Sequence, residues 1–195
     1  SNINAGVAST LLEHSTLGGK PKLQLAVLEV DERSSLRIYP YLKPDYMVCT
    51  NIMRDSITRN ANTDFISYII SSAVTGNTKM ILNGDDIICS ALGSENNENV
   101  FFGVSYRTGV EHTGTELRDI TYCPSCGQEL EIDYLRYNHI GRVHCAHCGF
   151  RSSALDYDIT ALDTEARQFT LCHGGDSWQY PMVNDNITNM YNTAA

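Results

Sequence analysis

Two cysteine pairs, Cys123-Pro-Ser-Cys126-Gly and Cys145-Ala-His-Cys148-Gly, constrain this chain more than any other feature. Two residues between the cysteines of a pair let both sulfurs point at one centre. Two such knuckles flanking residues 127–144 have the spacing of a tetrahedral zinc site. Gly127 and Gly149 follow the second cysteine of each pair, where the backbone must turn tightly. Four thiolates close the coordination shell, so the expected Zn²⁺ is structural and leaves no position for a reacting water. Disulfides and a rubredoxin-like iron site are the competing readings, since geometry alone separates iron from zinc poorly. His139, His144 and His147 crowd the knuckles and are expected at the surface or around the ligands. Cys49, Cys89 and Cys172 show no pairing pattern and read as reduced, buried or half-buried thiols.

A chain of 195 residues can bury a substantial core as one domain with an insertion, or as two small units. The formal charge is −9, and a zinc tetrathiolate would take it to about −11. That balance argues against general nucleic-acid binding, which runs on lysine and arginine neutralising phosphates. No apolar stretch reaches the roughly 18 residues of a membrane span, and no signal peptide is visible. The chain starts abruptly without an initiator methionine, which suggests an excised piece of a longer protein.

Hydrophobic patterning predicts an α/β fold with a mostly parallel sheet. A helix is expected over residues 3–14, broken by Gly18-Gly19 and Pro21. The nearly continuous apolar run Leu23–Val30 reads as a parallel strand buried on both faces. Tyr46–Asn51, Lys79–Asn83 and Val100–Val104 repeat that strand pattern. Between the first two, Asp64–Val74 has helical length and an apolar face of Phe65, Ile69, Ile70 and Val74. Residues 121–152 form the finger, inserted between strands and too poor in apolar groups to fold without metal. Ser153–Leu162, Gln168–Cys172 and Trp178–Val183 read as closing antiparallel strands around a Gly174-Gly175-Asp176 turn, with a final helix from Asn184.

Polar clusters stand at the carboxyl ends of the expected strands: Glu29 and Asp31, then Thr50 and Asn51, then Asn83, Asp85 and Asp86. In open α/β sheets ligands bind beyond that edge. Each residue alone is equally a helix cap or turn former; three clusters on one edge point to a site.

The order of Leu28-Glu29-Val30-Asp31-Glu32, Thr50-Asn51-Ile52-Met53-Arg54-Asp55 and Leu82-Asn83-Gly84-Asp85-Asp86 resembles the central domain of the Mur ligase family. The four-cysteine insertion after these motifs is similar to that of the MurT group, the ligase subunits of lipid II isoglutaminyl synthases. The ending Asp185–Asn192 looks like that family's junction into a C-terminal domain. The resemblance covers nearly the whole chain and implies a central ATPase domain over residues 1–195, lacking the upstream P-loop and the C-terminal domain. It implies cytoplasmic, ATP-dependent amidation of the stem-peptide D-glutamate of lipid II in peptidoglycan biosynthesis. The carboxylate is phosphorylated, and ammonia from a GatD-like glutamine amidotransferase displaces the phosphate.

The same resemblance implies roles for individual residues. Glu29 matches a Mg²⁺-binding glutamate, and a carboxylate suits that hard cation. Asn51 and Asp55 fall on the segment that lines the reaction centre, where Arg54 would hold phosphate or a substrate carboxylate. Asn83 matches a residue that contacts adenine, with Asp85 and Asp86 beside it, and Asn2 matches an asparagine near the γ-phosphate. Mur ligases often carry a histidine near the position of Ser56 and a modified lysine further on, whereas this chain has no lysine between Lys43 and Lys79. The isolated fragment is expected to bind zinc without turnover, for lack of the phosphate-cradling loop. The alternatives are another amide ligase of this fold, of the folate polyglutamate or cyanophycin type, and a non-catalytic zinc-ribbon interaction module.

Overall fold

The computed structural model describes residues 3–53, 63–74, 76–94, 96–109, 111–113, 120–184 and 186–195. Helix α1 (Asn4–Glu13) is followed by a 3₁₀ turn (Glu32–Ser34), α2 (Ser35–Ile38), β1 (Tyr46–Cys49) and α3 (Thr63–Ala73). Then come β2 (Lys79–Asn83), α4 (Ile87–Ser90), β3 (Asn99–Val104), β4 (Glu131–Tyr137) and β5 (Ile140–His144). The chain ends with β6 (Tyr157–Asp163), β7 (Gln168–His173), β8 (Asp176–Pro181) and α5 (Ile187–Ala194). Six strands form one sheet in the order β1-β2-β3-β6-β7-β8, while β4 and β5 form a separate hairpin. The contacts β1–β2, β2–β3 and β3–β6 are parallel, and β6–β7 and β7–β8 are antiparallel.

This is the expected α/β architecture with a finger inserted between two parallel neighbours, β3 and β6. Strand β2 forms over the predicted span, because Met80, Leu82 and Asn83 are all buried between flanking strands. The helix α3 buries Thr63, Ile66, Ile69 and Ile70 against β1 and β2, and Phe65 lies outside that stripe at 52% exposure, contrary to the expected apolar face. A second core joins Phe102, Ile159, Phe169, Leu171, Met190 and Tyr191, so α5 closes the sheet face over β3 and β6.

One expected strand is absent among the described residues. Leu23–Val30 is not a strand, and Leu23, Leu25 and Val27 are exposed. A strand needs neighbours for its backbone N–H and C=O groups as well as apolar side chains. Among the described residues β1 is the sheet edge, and no ladder reaches residues 23–30. Glu29 is therefore an exposed carboxylate on an irregular segment rather than the terminus of a buried strand. Asp31 caps the 3₁₀ turn by accepting from the Ser34 N–H at 3.2 Å.

Candidate functional site

The carboxyl ends of β1 and β2 are joined by side chains. Asn83 Nδ2 donates to the Thr50 carbonyl at 2.8 Å, while its Oδ1 accepts from the Asp85 N–H at 2.9 Å. Asp86 caps α4, accepting from the Ile88 and Cys89 N–H groups on Oδ1, and takes the Ile52 N–H on Oδ2 at 2.8 Å. Asp85 Oδ2 accepts from the Val104 N–H at 2.9 Å and from the Tyr191 hydroxyl at 2.7 Å. Asn83, Asp85 and Asp86 are each 0% exposed. A buried polar group is tolerable only when paired, and here the fold itself supplies the partners. Asn51 is half-buried and donates through Nδ2 to the Thr50 hydroxyl at 3.3 Å. Asn2, Arg54 and Asp55 lie outside the described residues.

The finger covers this edge. His139 is buried at 6% exposure with Nε2 3.1 Å from Asp86 Oδ1. That corrects the expectation for His139 alone; His147 is exposed and His144 partly so, as expected. Arg142 Nη1 donates to Asp85 Oδ1 at 3.1 Å, and the Gly141 N–H donates to the Asp85 carbonyl at 2.8 Å. Arg136 Nη2 donates to the Val104 and Tyr106 carbonyls, each at 2.6 Å, and its Nη1 meets Glu111 Oε1 at 2.8 Å. Both side chains of that ion pair are nearly fully buried. Burial alone would raise the Glu111 carboxyl, but the Thr108 and Gly109 N–H groups and the Thr108 hydroxyl bring it down to about 2. The Arg107 guanidinium lies 3.8 Å from the centre of the Tyr134 ring, a cation–π contact. Finger and sheet together line a cavity of about 470 Å³ with Ser105, Arg107, Asp133, Tyr134, Arg142, Leu155 and Asp158.

The cysteine cluster is built as the spacing predicts. The Cys123 N–H donates to the Gln128 carbonyl and the Gly127 N–H to the Cys123 carbonyl; Cys145, Phe150 and Gly149 repeat the pattern. Gly127 (φ 72°) and Gly149 (φ 78°) occupy the left-handed region this turn requires. Four sulfurs lie within 4.8 Å of one another, with Cys123–Cys148 at 3.5 Å and Cys126–Cys145 at 3.6 Å. Tetrahedral Zn–S bonds of about 2.3 Å place sulfurs about 3.8 Å apart, so the donor set fits such a metal. Burial works against the Cys123 thiolate, yet backbone N–H groups and neighbouring sulfurs lower this thiol to about 7. At Cys126 the Gln128 N–H also favours the thiolate, but burial and the other three sulfurs push it up to about 12. A divalent cation removes that mutual repulsion. Among the described residues, Cys49, Cys89 and Cys172 remain free, the first two buried.

No protein-family model matches the chain. The MurT subunit of lipid II isoglutaminyl synthase (glutamine-hydrolyzing) from Staphylococcus aureus strain COL is 34% identical over 163 residues, 83% of this chain. Over that span the chain is homologous to MurT. A Streptococcus pneumoniae MurT aligns with all of it at 28% identity, so the likeness is not confined to the finger. The chain spans 36% and 43% of the lengths of these two MurT subunits. The fold is also that of a pseudomurein peptide ligase type C from Methanothermus fervidus, with a TM-score of 0.61 at 24% identity over 77% of this chain and 29% of that one. Among the described residues no helix is long and apolar enough to cross a membrane.

The fold ties together residues that sequence motifs had kept apart. Asn83, Asp85 and Asp86 do gather at the strand ends with Thr50 and Asn51, whereas Glu29 lies on the irregular stretch before the 3₁₀ turn. Arg136, His139 and Arg142 carried no motif. The available signal was a run of arginines and histidines inside the finger (Arg136, His139, Arg142, His144, His147 and Arg151) of a chain with 14 lysines and arginines against 23 acids.

Proposed function

We propose that this chain is the central, nucleotide-handling domain of a MurT-type ligase subunit that amidates the stem-peptide D-glutamate of lipid II. The likeness to MurT over 83% of the chain carries this reading, and the strand-end edge is where an open α/β sheet presents a ligand. The substrate carboxylate attacks the γ-phosphorus of ATP, ADP departs, and an acyl phosphate remains. Ammonia supplied by a GatD-like glutamine amidotransferase attacks the carbonyl carbon and phosphate leaves, giving the amide. The reaction takes place on the cytoplasmic side, at the membrane face that holds lipid II.

Glu29 offers an exposed carboxylate of the hard-oxygen type suited to Mg²⁺, which neutralises phosphate charge when bound. Asn51, Arg54 and Asp55 are assigned to the reacting groups, and Asn2 to the phosphates. Asn83, Asp85 and Asp86 are assigned to the nucleotide edge, which they support by fixing the backbone after β1 and β2. Zn²⁺ held by Cys123, Cys126, Cys145 and Cys148 has a structural role.

The test uses the full-length protein with its amidotransferase partner, lipid II, glutamine and ATP, with the stem peptide followed by mass spectrometry. Conversion of the D-glutamate carboxylate to an amide that depends on both ATP and glutamine is the expected result. ATP turnover with no amide formed would refute the assignment.

A further inference from the structure

The proposed chemistry leaves the finger with no task beyond folding, yet its hairpin tip rests on the edge where that chemistry is placed. One carboxylate connects three elements. Asp86 receives the N–H groups of Ile88 and Cys89 from α4, the Ile52 N–H from the segment after β1, and His139 from the finger tip. The tip touches the same segment a second time, where Asn138 Nδ2 lies 3.1 Å from Met53 Sδ. Asn138 adopts φ 47°, the left-handed turn that joins β4 to β5. The neighbouring Gly141 N–H and Arg142 guanidinium are pinned to Asp85, so the tip cannot slide along the edge without breaking buried bonds.

We infer that His139 is a positioning residue: through Asp86 it holds Thr50–Met53, and with it Asn51, in the geometry the ligase reaction uses. This rests on the reading of Asn51 given under Proposed function. The physical reason is the shared acceptor. Three backbone amides fix where the Asp86 carboxylate sits, and the imidazole at Oδ1 fixes its rotation, which sets the direction in which Oδ2 presents to the Ile52 N–H. His139 is buried, so no water replaces its bond when it is removed. In-line transfer depends steeply on such placement. The finger thereby contributes to the site through Asp86.

His139→Leu and His139→Gln in the full-length protein test this, because glutamine places an amide donor near the Nε2 position. For H139L the expected result is a fall in kcat of roughly tenfold or more, KM for ATP little changed, metal content and melting unchanged, and faster hydrogen exchange at the amides of residues 50–53. H139Q restores both exchange protection and most of kcat. Wild-type kcat with unchanged exchange in H139L would overturn the inference. If H139L loses its metal or its melting transition, H139Q decides: a folded, metal-loaded, protected and active enzyme supports the role, and a folded but inactive one refutes it. A wild type that forms no amide would sink the functional reading and leave the exchange comparison to judge the coupling of tip and segment.

Discussion

Arg142, on the second strand of the finger, meets Asp85, just past the end of β2, at 3.1 Å across the joint between insertion and sheet. Asp85 is fully buried, and burial pushes its carboxyl up even though the Val104 N–H, the Tyr191 hydroxyl and Arg142 all favour the ionised form. One carboxylate therefore binds finger, sheet and C-terminal helix together. Arg142→Met removes the charged partner and should cost about 2–3 kcal/mol. Urea denaturation checks this, and a change below about 0.5 kcal/mol would show that the pair is not needed at this joint.

The finger depends on its four sulfurs. Cys145→Ser, or removal of metal by a chelator, should abolish metal binding and open β4 and β5, since the loop between the knuckles folds on metal binding. Metal content by elemental analysis and hydrogen exchange over residues 131–144 report both effects. A protected hairpin without metal would contradict the prediction.

Glu111 gives a pH signature. Its carboxyl is lowered from 4.5 to about 2 in the folded chain, so its contribution to stability is fully present above about 4.5 and is lost as pH falls towards 2. Glu111→Gln should lower the melting temperature at neutral pH and flatten its dependence between pH 5 and about 2. Thermal melts across that range decide the matter, and parallel curves for variant and wild type would refute it.

Gly141 faces a different constraint. A Cβ there would press on the Tyr134 carbonyl and the Leu135 backbone, neither of which can yield as a flexible side chain would. Gly141→Ala should destabilise the hairpin by about 3 kcal/mol or prevent its closure. Stability measured by denaturation, with metal content alongside, tests this; wild-type values would show that β4 and β5 separate freely.

Glu29→Gln, in the full-length protein, should reduce ATP-dependent amide formation by about 100-fold or more. Metal content and melting should stay unchanged, because Glu29 is exposed and lies outside the core. Retention of full activity would remove Glu29 from the metal-binding role.

Sequence patterning located most of the fold because its signals are local. Lys79–Asn83 is a strand as expected, since apolar residues between turn formers have one way to be buried in a sheet. Leu23–Val30 carries the same signal and is exposed, because pairing requires a neighbouring strand that no pattern within the run specifies. Asp85 and Asp86 illustrate the same limit at the site. Their place at a strand end was legible, but their burial is not, because the residues that cover them, His139, Gly141 and Arg142, come more than fifty positions later.

The chain's own sequence determined the four-cysteine knuckles and the order of strand-end motifs, since thiol chemistry, glycine turns and period-two burial act over a few residues. Only the tertiary structure decided that the finger folds back onto the ends of β1, β2 and β3. That placement is set by long-range pairing of buried charges and amides, each needing a partner once water is excluded. His139 on Asp86 and Arg142 on Asp85 are those partners.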